Sequence, residues 1–253
     1  MLDARGGASA AGEAATAAMA MATEMAGADA DAGIDYLFHV AGGSQSSAAE
    51  DTAEEVDRDM FEINVFSAIA LTKAVMPGML ARRTGVITAV CSMAAKCPAP
   101  GQAAYSATKA ALAAFLHALR GETADRGVRV CVAHPGPIAT GLGGQTRVVF
   151  GATLAKSTCD TEKSDVAPTG SDAKSSSRKN EKRLDARWTA ARVAAGAAHG
   201  LDEVVLAKQP IMLLRHFMRF APTLGFRVLN KVGPKRTRAA RSGESMYDLK
   251  KAK

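Results

Sequence analysis

Ser92-Met93-Ala94-Ala95-Lys96-Cys97-Pro98-Ala99-Pro100-Gly101-Gln102-Ala103-Ala104-Tyr105-Ser106-Ala107-Thr108-Lys109 is the stretch that decides how this chain folds. It follows Gly85 and the short apolar run Val86-Ile87-Thr88-Ala89-Val90-Cys91, the pattern of a strand buried in a parallel sheet. The Pro-rich loop Cys97-Pro98-Ala99-Pro100-Gly101 then leads into a predicted helix from about Gln102 to Asp125. Gly127 stops that helix, and Val128-Arg129-Val130-Cys131-Val132-Ala133 reads as the next strand, closed by His134-Pro135-Gly136-Pro137. Short apolar strands separated by a long helix predict right-handed βαβ units on a parallel sheet.

The same stretch carries chemistry. Tyr105 and Lys109 stand four residues apart, so a helix brings the ammonium close to the phenol. A free phenol titrates near ~10 and is a poor base at neutral pH. A cation within about 4–6 Å favours the phenolate and brings the group toward the working range. Ser92 ends a strand, at the carboxyl edge where open parallel sheets bind ligands, and its hydroxyl can donate to a carbonyl or alkoxide oxygen.

Upstream, Gly33 breaks the chain before Ile34-Asp35-Tyr36-Leu37-Phe38-His39-Val40, a nearly continuous apolar run that predicts a strand covered on both faces. Ala41-Gly42-Gly43-Ser44 is a loop. From Asp51-Thr52 a helical region runs to about Arg82, with a break near Arg58, and Val65, Ile69, Leu71, Val75 and Met79 mark its apolar face. Residues 8–26 are Ala/Met-rich, helical by propensity and equally readable as low complexity. Downstream, residues 156–183 are Ser/Lys/Asp-rich and read as a solvated, disordered polar insertion. Order resumes with a helix at about 184–199, a strand at Val204-Val205-Leu206 and an amphipathic segment over 211–232 that Pro222 kinks or breaks. The expected organisation is one catalytic domain over 1–155 and 184–232, interrupted by the insertion and followed by a basic tail, 233–253.

Composition narrows the classes. Of 253 residues 47% are apolar, but 53 are Ala and 12 aromatic, which suits a core of small, closely packed elements and excludes wholesale disorder. Cys91, Cys97, Cys131 and Cys159 form no CxxC and read as reduced thiols. No apolar run reaches the roughly 18–20 residues of a membrane span. One Arg and two acids in the first 13 residues suit neither a signal nor a transit peptide. The five histidines are scattered along the sequence, so no metal site is expected.

The net charge of +7 hides a gradient. Residues 1–60 carry 2 basic and 12 acidic groups, whereas residues 208–253 carry 12 basic and 2 acidic ones. In the 211–232 segment Arg215, Arg219, Arg227 and Lys231 recur near one helix face. That segment reads either as a substrate-pocket lid or as an interfacial helix with its cations toward an anionic membrane surface; nucleic acid is not an expected partner.

Asn64, Ser92, Tyr105 and Lys109, followed by Pro135-Gly136-Pro137-Ile138-Ala139-Thr140, together resemble the short-chain dehydrogenase/reductase family over about residues 34–142. Within it, Ser44-Gln45-Ser46, Glu50-Asp51-Thr52, Val56-Asp57-Arg58, His199-Gly200-Leu201-Asp202-Glu203-Val204, Lys208-Gln209-Pro210, Ala221-Pro222-Thr223 and Asn230 to Arg236 are similar to the member 7-like branch. The resemblance implies an α/β, Rossmann-type doubly wound parallel sheet in three layers. It implies NAD or NADP as cofactor and interconversion of an alcohol with a ketone or aldehyde on a small lipophilic substrate. Tyr105 would pass the proton, Ser92 orient the carbonyl, Lys109 lower the tyrosine pKa and hold the ribose, and Asn64 support a relay water. The cofactor contacts it implies are Asp3, Ala41, Gly42, Lys109, Pro135, Gly136, Ile138 and Thr140. The branch further implies an intracellular protein, cytoplasmic or peripheral on the endoplasmic reticulum membrane, with self-association into a homo-oligomer left open.

Two departures stand out. The family's TGxxxGxG phosphate turn is absent from the sequence, and Gly6-Gly7-Ala8-Ser9-Ala10-Ala11-Gly12 has too little chain before it to replace that turn. The expectation is a domain lacking its first strands and Gly-rich loop, as in an N-terminally truncated gene product, with the 34–40 strand left as an open edge. The family's NNAG stands here as His39-Val40-Ala41-Gly42, with His39 either a core histidine or a cofactor contact. Without the phosphate turn, a catalytically silent homologue serving as a binding or membrane-attached interaction module is the alternative reading.

Overall fold

The computed structural model describes residues 33–139, 149–150 and 183–242. Four parallel strands form the central sheet: β1 (Tyr36–His39), β2 (Gly85–Val90), β3 (Val128–Pro135) and β4 (Glu203–Leu206), in that spatial order. Their registers pair Leu37 with Ile87, Ile87 with Val130, and Ala133 with Val204. All the predicted strands and the parallel α/β architecture are present.

One face of the sheet is covered by α2 (Ser67–Arg82) and α3 (Ala103–Thr123), and α1 (Glu54–Phe61) packs on α3. There Leu37, Val75, Met79, Ile87, Leu116 and Val132 form one buried cluster. The other face is covered by α4 (Ala186–Ala198), whose Val193 and Ala197 pack on Val86, Cys131, Ala133 and Val204. Sheet positions alternate between the two clusters because successive side chains on a strand point to opposite faces.

Two sequence expectations need correction. Among the described residues the apolar run at β1 is covered on one face only, because α4 packs on residues of β2, β3 and β4. Tyr36 and Phe38 remain 48% and 41% exposed and stack on each other, while Leu37 and His39 are buried. Among the described residues β1 is an edge strand. The expected break near Arg58 falls later: Glu62–Phe66 is a π-helical turn that joins α1 to α2 in one 29-residue rod. That rod is long and apolar enough to cross a membrane by length and composition, which no simple apolar run in the sequence announced. Its Ala68, Thr72, Val75 and Met79 are buried in the domain core. As expected, Pro222 divides the 211–232 segment, here into two helices, α5 (Ile211–Phe220) and α6 (Pro222–Arg241). Pro222 starts α6, where its missing N–H costs nothing, and the helix continues through 233–241. Residues 8–26 and nearly all of the polar insertion, together with Cys159, lie outside the described residues.

Candidate active site

The carboxyl ends of β1, β2 and β3 bring the predicted residues to one edge of the sheet. Ser92 lies just beyond β2 in extended backbone, and its Oγ accepts a hydrogen bond from the Ala94 N–H at 3.1 Å. Its own O–H proton therefore stays available for another acceptor. Tyr105 is half-buried in the first turn of α3, and its backbone N–H donates to Gln45 Oε1 at 3.0 Å. One turn on, Lys109 is only 4% exposed; its Nζ donates to the Val90 carbonyl at 3.2 Å and sits 6.0 Å from the centre of the Tyr105 ring. Burial pushes the Lys109 ammonium below its ordinary value. The i,i+4 spacing thus delivers the expected phenol–ammonium neighbourhood.

Asn64 sits inside the π-helical turn, a local departure from α-geometry that is frequent at functional sites. It is fully buried and satisfied: Nδ2 donates to Gly43 O and to Thr108 Oγ1, each at 3.0 Å, and Oδ1 accepts from the Gly43 N–H at 2.8 Å. Asn64 therefore clamps the loop after β1 to the Tyr105 helix. At Gly42, in the same loop, an added Cβ would lie 2.8 Å from Asn64 Oδ1 and 3.0 Å from Lys109 Nζ. Glycine is therefore what lets the loop backbone approach Asn64 and Lys109 so closely.

Of the other positions expected to contact a cofactor, the described ones lie along this edge. Ala41 follows β1, Pro135 ends β3, and the Gly136 N–H donates to Leu206 O at 2.6 Å, tying the loop before Ile138 to β4. Asp3 and Thr140 lie outside the described residues. His39, for which the sequence left two readings, is a core histidine: its Nε2 lies 2.8 Å from Thr72 Oγ1. Burial, with the Lys109 charge adding to it, lowers its pKa to about 4.

Helix α6 borders the site. Arg236 donates from Nε to the Pro100 carbonyl at 2.9 Å and from Nη2 to Gln102 Oε1, holding α6 against the loop that leads to Tyr105. Arg241 pairs with Glu50 and Asp51 on the far side. Leu213, Phe220, Leu224, Phe226 and Val228 of the α5–α6 pair stay exposed.

Sequence reading missed a second cluster. His117, one face along α3, meets His134 at the end of β3 and Glu203 at the start of β4. The Glu203 Oε1 lies 2.8 Å from Lys96 Nζ, 2.9 Å from His117 Nε2 and 3.7 Å from His134 Nε2. Burial lowers His134 to about 4 and holds His117 below its ordinary value. No local spacing announces three residues so far apart in sequence; only the strand order brings them together.

Comparison with known proteins agrees with this geometry. A family model described as short chain dehydrogenase matches residues 10–148. Dehydrogenase/reductase SDR family member 7B of Rattus norvegicus is 43% identical over 109 residues, 43% of this chain and 34% of the rat protein. Dehydrogenase/reductase SDR family member 7 of Homo sapiens is 29% identical over 211 residues, 83% of this chain and 57% of the human protein. The matches therefore span about a third to somewhat over half of these relatives' length. Among solved structures, a short-chain dehydrogenase from Streptomyces avermitilis superposes with a TM-score of 0.62 at 25% identity, over 88% of this chain and 76% of its own. One from Burkholderia cenocepacia in complex with NADP gives 0.59 at 23% identity, over 87% and 73%, a likeness of fold.

Proposed function

The chain belongs to the short-chain dehydrogenase family, and from that premise we propose that it interconverts an alcohol with a ketone or aldehyde, using NAD or NADP. The observation that carries the reading is Lys109 buried beside the Tyr105 ring, one strand end away from the Ser92 hydroxyl. The nicotinamide dinucleotide, when bound, supplies the hydride chemistry. The residues present fit its nicotinamide end. Lys109, against the Gly42 backbone, has donors beyond the one given to Val90. Ala41, Gly42, Lys109, Pro135, Gly136, Ile138 and Thr140 would hold that end, with Asp3 toward the adenine.

In this reading the Tyr105 hydroxyl gives its proton to the substrate oxygen in reduction and takes it back in oxidation. The Lys109 ammonium favours the phenolate electrostatically. Ser92 Oγ, already accepting from Ala94, donates to the same substrate oxygen and orients it. Asn64 is a positioning residue that fixes the Gly43 loop against Thr108. A small lipophilic alcohol or carbonyl suits the exposed apolar side chains of α5 and α6, the latter held to the Pro100–Gln102 loop through Arg236. Segment 208–253 is the proposed contact with a membrane surface, which fits a location peripheral to the endoplasmic reticulum.

The test combines NADH and NADPH fluorescence titration with turnover of lipophilic ketones and aldehydes. Saturable binding is expected, and Tyr105→Phe is expected to keep it while lowering kcat by roughly 100-fold or more. The alternative reading, a catalytically silent homologue acting as a binding module, predicts the opposite outcome. Absence of saturable binding of either nucleotide would select that reading.

A further inference from the structure

We propose that His117, His134 and Glu203 form a site for one divalent transition-metal ion of the Zn2+ class, beside the backbone of Ser92. Each of the three residues offers a ligand atom, and these atoms all lie within 4.8 Å of one another. Bonds of about 2.0–2.2 Å from imidazole nitrogen and carboxylate oxygen require the widest pair to draw in by roughly 1 Å. His117 and Glu203 have 26% and 29% side-chain exposure and can rotate to do so, while His134 is wholly buried and fixed.

The decisive observation is the state of His134. Its Nδ1 lies 3.1 Å from the Ser92 carbonyl, an acceptor, so Nδ1 carries the ring proton and Nε2 is left as a bare lone pair. That Nε2 is buried, without a hydrogen-bond partner, and aimed at the Glu203 carboxylate, where lone pair faces anion. His117 Nε2 already reaches the same carboxylate at 2.9 Å, while its Nδ1 is buried without a hydrogen-bond partner. A buried acceptor facing an acceptor is an unfavourable arrangement for an apo protein and the required one for a ligand set. The Nδ1–H···O=C contact is the outer-shell bond that metal-ligating histidines characteristically make.

Two imidazoles and one carboxylate suit Zn2+, Co2+ or Ni2+ rather than Mg2+ or Ca2+, and three protein ligands leave a position for water. Lys96 competes, because its ammonium donates to Glu203 Oε1 at 2.8 Å. At 28% exposure it can withdraw to solvent, and Arg120 is already turned to Asp202 at 3.5 Å. An ion here would tie the helix of Tyr105 and Lys109 to the ends of β3 and β4.

The full chain, stripped with EDTA and desalted, is titrated with Co2+ alone by visible absorption and with Zn2+ against a chromophoric chelator. One equivalent is expected, with cobalt d–d bands. His117→Gln and Glu203→Gln are each expected to weaken binding by more than the roughly 10–100-fold that loss of an outer-shell partner costs. Lys96→Gln is expected to tighten it. At a hundredfold excess over Kd, Zn2+ is expected to raise Tm by roughly 5–10 °C. On the wild-type chain, imidazole 15N signals of two histidines should move to metal-bound positions, a readout that needs no variant. No binding, no movement of those signals, binding unchanged in both variants, or a thiolate-to-cobalt charge-transfer band would each overturn the proposal.

Discussion

Lowering the pH should destabilise this protein through His39, by an amount that follows from its surroundings. The ring is 8% exposed, its Nε2 is engaged by Thr72, and burial followed by the Lys109 charge lowers its pKa from 6.5 to about 4. The unfolded chain therefore binds a proton near 6.5 that the folded chain refuses until about 4. Stability is fully present above 6.5 and falls as the pH drops through that window. At pH 5 the linkage amounts to about 2 kcal/mol, and below 4 it approaches about 3 kcal/mol. Urea unfolding at pH 7, 6 and 5, for the wild type and for His39→Gln, isolates this one group. Glutamine can still bond Thr72 but does not titrate there, and every other acid-sensitive group is common to both chains. The wild type is expected to lose about 2 kcal/mol more than the variant between pH 7 and 5. Parallel pH profiles for the two proteins would refute the assignment of His39 as a neutral core histidine.

Asn64→Ala leaves the Gly43 N–H and C=O without their partner and opens a cavity beside Thr108, so a loss of roughly 2–5 kcal/mol is expected by chemical denaturation. Gly42→Ala places a methyl 2.8 Å from Asn64 Oδ1 and 3.0 Å from Lys109 Nζ. It should weaken NADH or NADPH binding at least tenfold, with a folding cost of about 1–3 kcal/mol from overpacking. Arg236→Ala removes the bonds from α6 to Pro100 and Gln102; it is expected to raise KM for lipophilic substrates more than it lowers kcat, read from steady-state kinetics. The full chain is expected to partition onto anionic vesicles and to release at high salt, through Arg215, Arg219, Arg227 and Lys231; equal partitioning onto neutral vesicles would count against electrostatic docking.

What the sequence made legible was whatever is encoded locally. Period, Gly stops and a Pro-rich loop marked β2, α3 and β3 because each element's signal lies within its own residues, and the Tyr105–Lys109 spacing needs only one helix turn to become a contact. The exposure of Tyr36 and Phe38 was hidden, since it depends on where α4 packs, some 150 residues further along the chain. The π-helical turn at Asn64 was hidden for a related reason: Asn64 bonds Gly43 and Thr108, partners that hydrophobic periodicity does not register.

The histidine cluster extends that lesson to chemistry. His117 and His134 are separated by a helix end and a strand, and Glu203 enters from a strand that follows the whole polar insertion. In one dimension they are unremarkable polar residues, and only the pairing of Val132 with Glu203 fixes the carboxylate at the strand end where His134 emerges. Sequence therefore exposes the part of a site that one helix assembles and conceals the part that sheet order assembles. Here both parts meet on α3, with Tyr105 and Lys109 in its first two turns and His117 two turns beyond Lys109. At about 1.5 Å of rise per residue, eight residues put His117 about 12 Å from Lys109 along one rigid helix. Whatever holds His117 against β3 and β4 therefore also sets the tilt of the helix that presents the phenol.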